Sequence, residues 1–275
     1  EATATNFLKS FDSDGVTIGN DGVINGSGVT NVMWNWKANG GTTSSNTDGS
    51  ITSTVQANTT AGFSIVTYTG NDASSATVGH GLGSVPAMFI IKSRDSSADW
   101  AVYHKEADPT APEDFNFRLN GTVNRQNSAN FWNDTAPTSS VFTIGTSNVV
   151  NNTDDFIAYC FAEVESYSKF GSFVGNGSTD GTFVYTGFRP AFLIIKRRDG
   201  TANNWMLSDS ARDPDNVINN LLYANLSNAE YALAHIDYTS NGFKLRTSNA
   251  SWNASGVTYI YMSFAETPTK YSLGR

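Results

Sequence analysis

A single cysteine in 275 residues, Cys160, excludes an internal disulfide framework. It sits in the apolar run Phe156-Ile157-Ala158-Tyr159-Cys160-Phe161 and reads as a small buried hydrophobe rather than a reactive thiol. Charge is also scarce: Asp, Glu, Lys and Arg make up 15% of the chain, with 17 basic residues against 25 acidic ones. A net charge of −8 argues against nucleic acid, whose binding relies on Lys and Arg neutralising phosphates, and against an anionic membrane surface for the same reason. No stretch approaches the ~18 apolar residues of a spanning helix, so no membrane insertion is expected. Only three histidines occur, His80, His104 and His235, and none stands at metal-ligand spacing from another His, Cys or carboxylate. No metal site and no cofactor is expected. Gly-x-Ser-x-Gly and the phosphate-cradling glycine motifs are missing as well.

What is abundant is Asn, Thr, Ser and Gly, together with 17 Phe, 11 Tyr and 6 Trp. A disordered polar chain would lack such aromatics, since it could not bury enough apolar area to offset chain entropy. The composition therefore describes a folded protein with a polar, weakly charged skin.

The chain repeats itself. Val85-Pro86-Ala87-Met88-Phe89-Ile90-Ile91-Lys92-Ser93-Arg94-Asp95, followed by Trp100, is answered by Arg189-Pro190-Ala191-Phe192-Leu193-Ile194-Ile195-Lys196-Arg197-Arg198-Asp199, followed by Trp205. Phe142-Thr143-Ile144-Gly145-Thr146-Ser147-Asn148 matches Phe243-Lys244-Leu245-Arg246-Thr247-Ser248-Asn249, and both units close on Phe-Ala-Glu, at Phe161-Ala162-Glu163 and Phe264-Ala265-Glu266. A partial copy opens the chain, where Asn25-Gly26-Ser27-Gly28-Val29-Thr30 matches Asn253-Ala254-Ser255-Gly256-Val257-Thr258. Residues 1–40 thus read as the C-terminal portion of a preceding repeat, and the chain as part of a longer polypeptide. The polar, glycine-rich stretch that follows makes 41–62 a linker. Residues 63–165 and 166–275 are then the two repeats.

Ala87-Met88-Phe89-Ile90-Ile91-Lys92 and its counterpart are short, β-branched apolar runs that begin just after a proline, as buried strands do. Asn-Gly at 25–26, 39–40, 120–121, 176–177 and 241–242 marks tight turns. The expected fold is all-β: tandem antiparallel β-sandwich-like repeat units with an incomplete N-terminal copy, a closed barrel being the alternative. Only 216–235 has the pattern of a short helix.

Candidate chemistry is thin. Glycan cleavage needs two carboxyl groups ~5–9 Å apart. Asp95, Asp99 and Glu163, with Asp199 and Glu266, are the candidates, but features present in both repeats favour scaffold over active site. Ion pairing or turn capping accounts for them, with Glu163 and Glu266 expected to pair with Lys92 and Lys196. Asp12-Ser13-Asp14-Gly15 and Asn152-Thr153-Asp154-Asp155 have oxygens for Ca²⁺, yet turn chemistry explains both. Among the tryptophans, Trp100 and Trp205 recur in register and read as packing. Trp132 with Asn133, and Trp252 with Asn253, lie in polar surroundings and are the candidate exposed binding loops, with core packing as the competing explanation.

Tyr167-Ser168-Lys169-Phe170-Gly171-Ser172-Phe173-Val174-Gly175-Asn176-Gly177-Ser178-Thr179-Asp180-Gly181, Thr186-Gly187-Phe188-Arg189-Pro190-Ala191 and Leu226-Ser227-Asn228-Ala229-Glu230 resemble a domain recurrent in structural proteins of marine tailed phages, including cyanophages. Gly79-His80-Gly81-Leu82-Gly83 with Trp100-Ala101-Val102-Tyr103-His104 looks like the same family's other half. The resemblance covers most of residues 63–268. It implies a virion-surface protein, extracellular after release, of tail-fibre or receptor-binding type, contacting bacterial surface glycan. Its partners would be other virion proteins and copies of itself, as a homotrimer. Capsid or tail decoration through protein–protein contacts is the alternative. No catalytic residue carries over, so an enzyme is not expected, and a glycan depolymerase is disfavoured for want of an acid/base pair.

Overall fold

The structure, a computed structural model, describes residues 6–267. It divides into two compact units, Glu1–Trp36 and Lys37–Arg275.

In the first unit, β1 (Leu8–Phe11) and β2 (Val16–Ile18) form an antiparallel hairpin, and α1 (Gly22–Asn25) is one helical turn. The Asp12 carboxylate accepts from the hydroxyls of Ser10 and Thr17, at 2.8 and 2.7 Å. The Thr17 bond, with that of Ser10, holds its carboxyl below the usual range. This oxygen-rich loop is therefore tied up as a turn. Asp21 caps α1 by accepting the Val23 N–H.

The second unit contains both repeats. The first comprises β3 (Ser44–Asn46), β4 (Ser53–Asn58), β5 (Phe63–Thr69), β6 (Ala76–Gly79), β7 (Met88–Ser93), β8 (Ala101–His104), β9 (Phe115–Arg118), β10 (Gln126–Asn127), α2 (Ala129–Trp132), β11 (Val141–Ile144) and β12 (Asp155–Phe161). Eight of these strands make one antiparallel sheet in the order β10-β9-β8-β7-β12-β5-β4-β3, and β6 pairs with β11 in a second, two-stranded sheet. Tyr68, Phe89, Trp132, Phe142, Phe156 and Ala158 fill the core between the two layers.

The second repeat comprises β13 (Ser168–Val174), β14 (Phe183–Tyr185), β15 (Phe192–Arg197), β16 (Trp205–Asp209), β17 (Ile218–Tyr223), β18 (Tyr231–Thr239), β19 (Gly242–Leu245), α3 (Ala250–Asn253) and β20 (Thr258–Phe264). They form one antiparallel sheet, β13-β20-β15-β16-β17-β18-β19-β14. It curls over until Phe243 of β19 meets Phe173 of β13 and Tyr261 of β20 edge-on, at 5.9 and 5.3 Å. The result is a near-barrel, and the all-β, sandwich-like architecture expected from the sequence is present.

Equivalent bonds recur in both repeats. Ala87 N–H donates to Phe161 O as Ala191 N–H does to Phe264 O, both at 2.7 Å. The Asn120 amide oxygen accepts from Trp100 N–H as that of Asn225 does from Trp205 N–H. Asn249 caps α3 through Ser251 N–H in the manner of Asp21 on α1.

Two expectations need correction. Residues 41–62 are not a linker: β4 pairs with β5 from Thr54↔Thr67 to Asn58↔Phe63, and β3 pairs with β4. Ladder bonds come from the backbone whatever the side chains, so a polar segment qualifies once Ile51 and Val55 supply its buried face. Nor do residues 216–235 hold a helix; β17 and β18 occupy them, because Ile218, Leu221 and Ile236 are all claimed by the second core. The Asn-Gly signal at 241–242 did mark a hairpin, with Ser240 and Asn241 as its two loop residues between paired Thr239 and Gly242.

The repeats are docked side by side. His104, at the end of β8, donates from Nε2 to Tyr261 O at 3.1 Å and lies against Phe170. The indole N–H of Trp205 donates to Arg118 O at 2.7 Å, with its ring edge-on to Phe117. Lys196 is buried and donates from Nζ to Thr122 O and Asn203 O. Arg125 pairs with Asp108 in its own repeat and with Asp199 in the other.

Candidate functional site

The candidate binding loops of the sequence reading are not at the surface. Trp132 and Trp252 are each only 1% exposed. The Trp132 indole donates to Phe115 O at 2.9 Å and stands edge-on to Phe89 and Tyr103, while the Trp252 ring lies 4.3 Å from that of His235. Asn133 is a half-buried helix C-cap with φ +52°, a conformation asparagine tolerates well. Asn253 is buried, and its amide is fully used: Nδ2 donates to Asn176 Oδ1, Ser178 O and Thr247 O, and Oδ1 accepts from Asn176 N–H. Asn151 plays the same part in the first repeat, donating to Ala73 O and Gly145 O and accepting from Asn71 N–H. Polar neighbours made these positions look like surface because each loop folds its amides inward onto its own backbone. Asn253→Ala is accordingly expected to cost about 2–3 kcal/mol of stability, through stranded buried donors and acceptors, with no direct effect on a surface ligand. Urea denaturation beside a binding assay checks this.

The titratable candidates are committed to structure. His80 donates from Nε2 to Thr138 O and accepts Leu82 N–H at Nδ1. Burial lowers its pKa, and takes those of His104 and His235 down to about 4. The Cys160 thiol is pushed up to about 12 by burial, leaving it a thiol at neutral pH. Asp95 accepts Asp155 N–H, Asp99 serves Arg118 and Asn120, and Asp199 binds Arg125 and Arg198. Glu163 pairs with Lys105 and Lys169, not with Lys92, whose ammonium is taken by the carbonyls of Ser93 and Ser96. Lys196 likewise serves backbone carbonyls rather than Glu266, which is exposed. Asp154 accepts from the Ser93 hydroxyl. Among the described residues no group of three or more His, Cys, Asp or Glu is placed to hold a metal ion.

The surface feature with chemical character lies on β14. Its burial alternates: Val184 enters the core, while Phe183 and Tyr185 face outward, 46% and 64% exposed. Cross-strand register sets their neighbours. Phe183 stands opposite Lys244 of β19, which stands opposite Asp237 of β18; Tyr185 stands opposite Gly242, and Gly242 opposite Thr239. Two rows thus cross three strands, one aromatic–cation–anion and one aromatic–glycine–hydroxyl. A side chain at Gly242 would come within 3.2 Å of the Phe183 ring and 2.1 Å of Val184 O, so only glycine leaves this ledge open. Lys244 pairs with Asp180 at 2.6 Å and Arg246 with Asp237 at 3.3 Å, which balances the charge of the patch.

The first repeat closes the same place. There β6 carries Thr77 and Gly79 where β14 has Phe183 and Tyr185, as the pairings Phe142↔Val78 and Phe243↔Val184 establish. The segment leading into β4, with the first residue of that strand, lies along that edge: Ile51 N–H donates to Thr77 O, Ser53 Oγ donates to Gly79 O, and Ser50 and Thr77 exchange bonds. A Cβ at Gly79 would overlap the side chain of Asn46. One fold position is therefore sealed by a strap in the first repeat and left as an aromatic ledge in the second. The sequence reading missed the ledge, although the exchange of Thr77 and Gly79 for two aromatics was there to be found.

Neither the curated proteins nor the solved structures yield a match to the chain. A family model does: the one described as a domain of unknown function, DUF7483, spans residues 1–268, and the chain belongs to that family.

Proposed function

We propose that the chain is a non-enzymatic structural protein of the tailed-phage particle surface, and that the β14 ledge of its second repeat contacts bacterial surface glycan. The ledge is the observation that carries the reading. Two exposed aromatic faces suit the apolar C–H face of a sugar ring, and the ammonium, guanidinium, carboxylate and hydroxyl groups beside them suit its hydroxyls. The balanced charge favours a neutral glycan over a polyanion. The commitment of the histidines, the thiol and the candidate carboxylates to packing and turns supports the non-enzymatic part, and the resemblance in residues 63–268 supports the location. A single ledge binds weakly, and many copies on one particle sum that affinity.

Phe183→Ala with Tyr185→Ala is expected to reduce binding of the soluble protein to host cells at least about tenfold, since each ring contributes on the order of 1 kcal/mol. The melting temperature should stay within about 2 °C, because both side chains are exposed. Unchanged cell binding by a folded double variant defeats the proposal. Unchanged cell binding together with lost retention on the particle favours the decoration reading instead.

A further inference from the structure

We infer that Glu163 locks an otherwise open sheet edge, and that removing it lets another molecule of this chain add through β13. In the first repeat the central strand β5 is paired on both sides, by β12 over seven residues and by β4 over five. Its counterpart β13 has β20 on one side and, among the described residues, only an isolated bridge from Val164 to Ser168 on the other. Tyr167 O accepts Ala265 N–H and Gly175 N–H donates to Val257 O on the β20 side. Alternation along the strand then turns the backbone groups of Phe170, Ser172 and Val174 outward.

Side chains occupy this edge of β13. Phe170 N–H donates to Glu163 Oε1 at 3.0 Å, and Val174 O accepts from the Thr182 hydroxyl at 2.8 Å. Glu163 is held in place by Lys105 at 2.8 Å and Lys169 at 3.5 Å, which keeps its acceptor oxygen on the edge. Among the described residues the Ser172 N–H has no such cap, although the Ser172 hydroxyl donates to Glu106. An edge N–H already satisfied by a side-chain acceptor is not free to template an incoming strand, and a side chain lying along the edge obstructs one. Removing it leaves outward groups at Phe170 and Ser172 that pair antiparallel with the same residues of another molecule, in a two-fold contact.

Two variants separate this lock from a merely structural ion pair. Glu163→Gln keeps an acceptor for Phe170 N–H and loses the charge; Glu163→Ala loses both. Light scattering is expected to give the wild-type mass for Glu163→Gln and a mass that rises with concentration for Glu163→Ala. Adding Ser172→Pro to the latter should restore the wild-type mass, because proline removes the outward donor. A folded Glu163→Ala protein that keeps the wild-type mass at all concentrations overturns the inference. Hydrogen exchange of the unmodified protein tests the lock without any variant. The Phe170 amide should exchange at least about tenfold more slowly than that of Ser172, and equal rates also overturn it.

Discussion

Trp205→Ala is expected to remove about 3–5 kcal/mol of unfolding free energy, the cost of emptying a buried tryptophan site. The effect exceeds packing alone. The Trp205 indole bonds to Arg118 O, its ring faces Phe117 edge-on at 5.9 Å, and the Lys196 ammonium lies 5.7 Å from the ring centre. Truncation strands one carbonyl, opens a cavity between the repeats and takes away the aromatic face beside a buried cation. Trp100→Ala is the internal control. Trp100 holds the same sequence position in the first repeat, yet it is only half-buried and stacks loosely on Tyr159 at 6.5 Å. Its loss should cost about 1–2 kcal/mol. Equal midpoints for the two variants in urea would mean that Trp205 does not join the repeats. In limited proteolysis, Trp205→Ala should also open the 119–125 segment, whose Thr122 O is held by Lys196 and Asn203 N–H from across the joint.

That pair of tryptophans shows where the sequence stops being informative. Composition, apolar runs and turn signals define the strands, since strand formation depends on local alternation and backbone pairing. Recurrence of Trp100 and Trp205 says that one fold position is aromatic twice, but not which face a neighbouring repeat will cover. Asn253 and Trp252 carry the composition of a surface loop and end up inside, because four hydrogen bonds to one amide remove its need for water. The stretch 41–62 reads as a linker for the converse reason: its side chains are mostly polar, while the backbone of Ser44–Asn46 and Ser53–Asn58 completes a sheet. Phe183 and Tyr185 resemble any strand aromatics until β14 is set beside β6 and the strap is seen to be missing from that edge. Position in three dimensions, rather than residue type, distinguishes these cases.

Lowering the pH from 6.5 to about 5 is expected to destabilise the protein strongly, at a pH where ordinary carboxylates are still ionised. Burial takes His104 and His235 from 6.5 down to about 4, and lowers His80 as well. A histidine with a depressed native pKa binds its proton more weakly folded than unfolded. Its contribution is therefore complete above pH 6.5 and is lost as the pH falls towards 4. For His104 and His235 that amounts to about 3 kcal/mol each, with a slope near pH 5 approaching two protons. His104 is the more consequential, because its Nε2 proton bridges the repeats through Tyr261 O while Nδ1 accepts Glu106 N–H and has no room for a second proton. Urea midpoints taken from pH 7 to 4.5 give the slope, and His104→Leu should lower it by one proton's worth. A flat profile for the unmodified protein would contradict the burial argument. The ledge should behave differently over the same range. Hydrogen bonding and charge from Lys244 hold the Asp180 carboxyl below its usual range, so the ion pair beside Phe183 survives at a pH where the joint has weakened. Glycan binding in acid should then keep the contribution of the Asp180–Lys244 pair for as long as the protein stays folded. A loss of binding between about pH 6.5 and 5 that precedes unfolding would contradict this role for the Asp180–Lys244 pair.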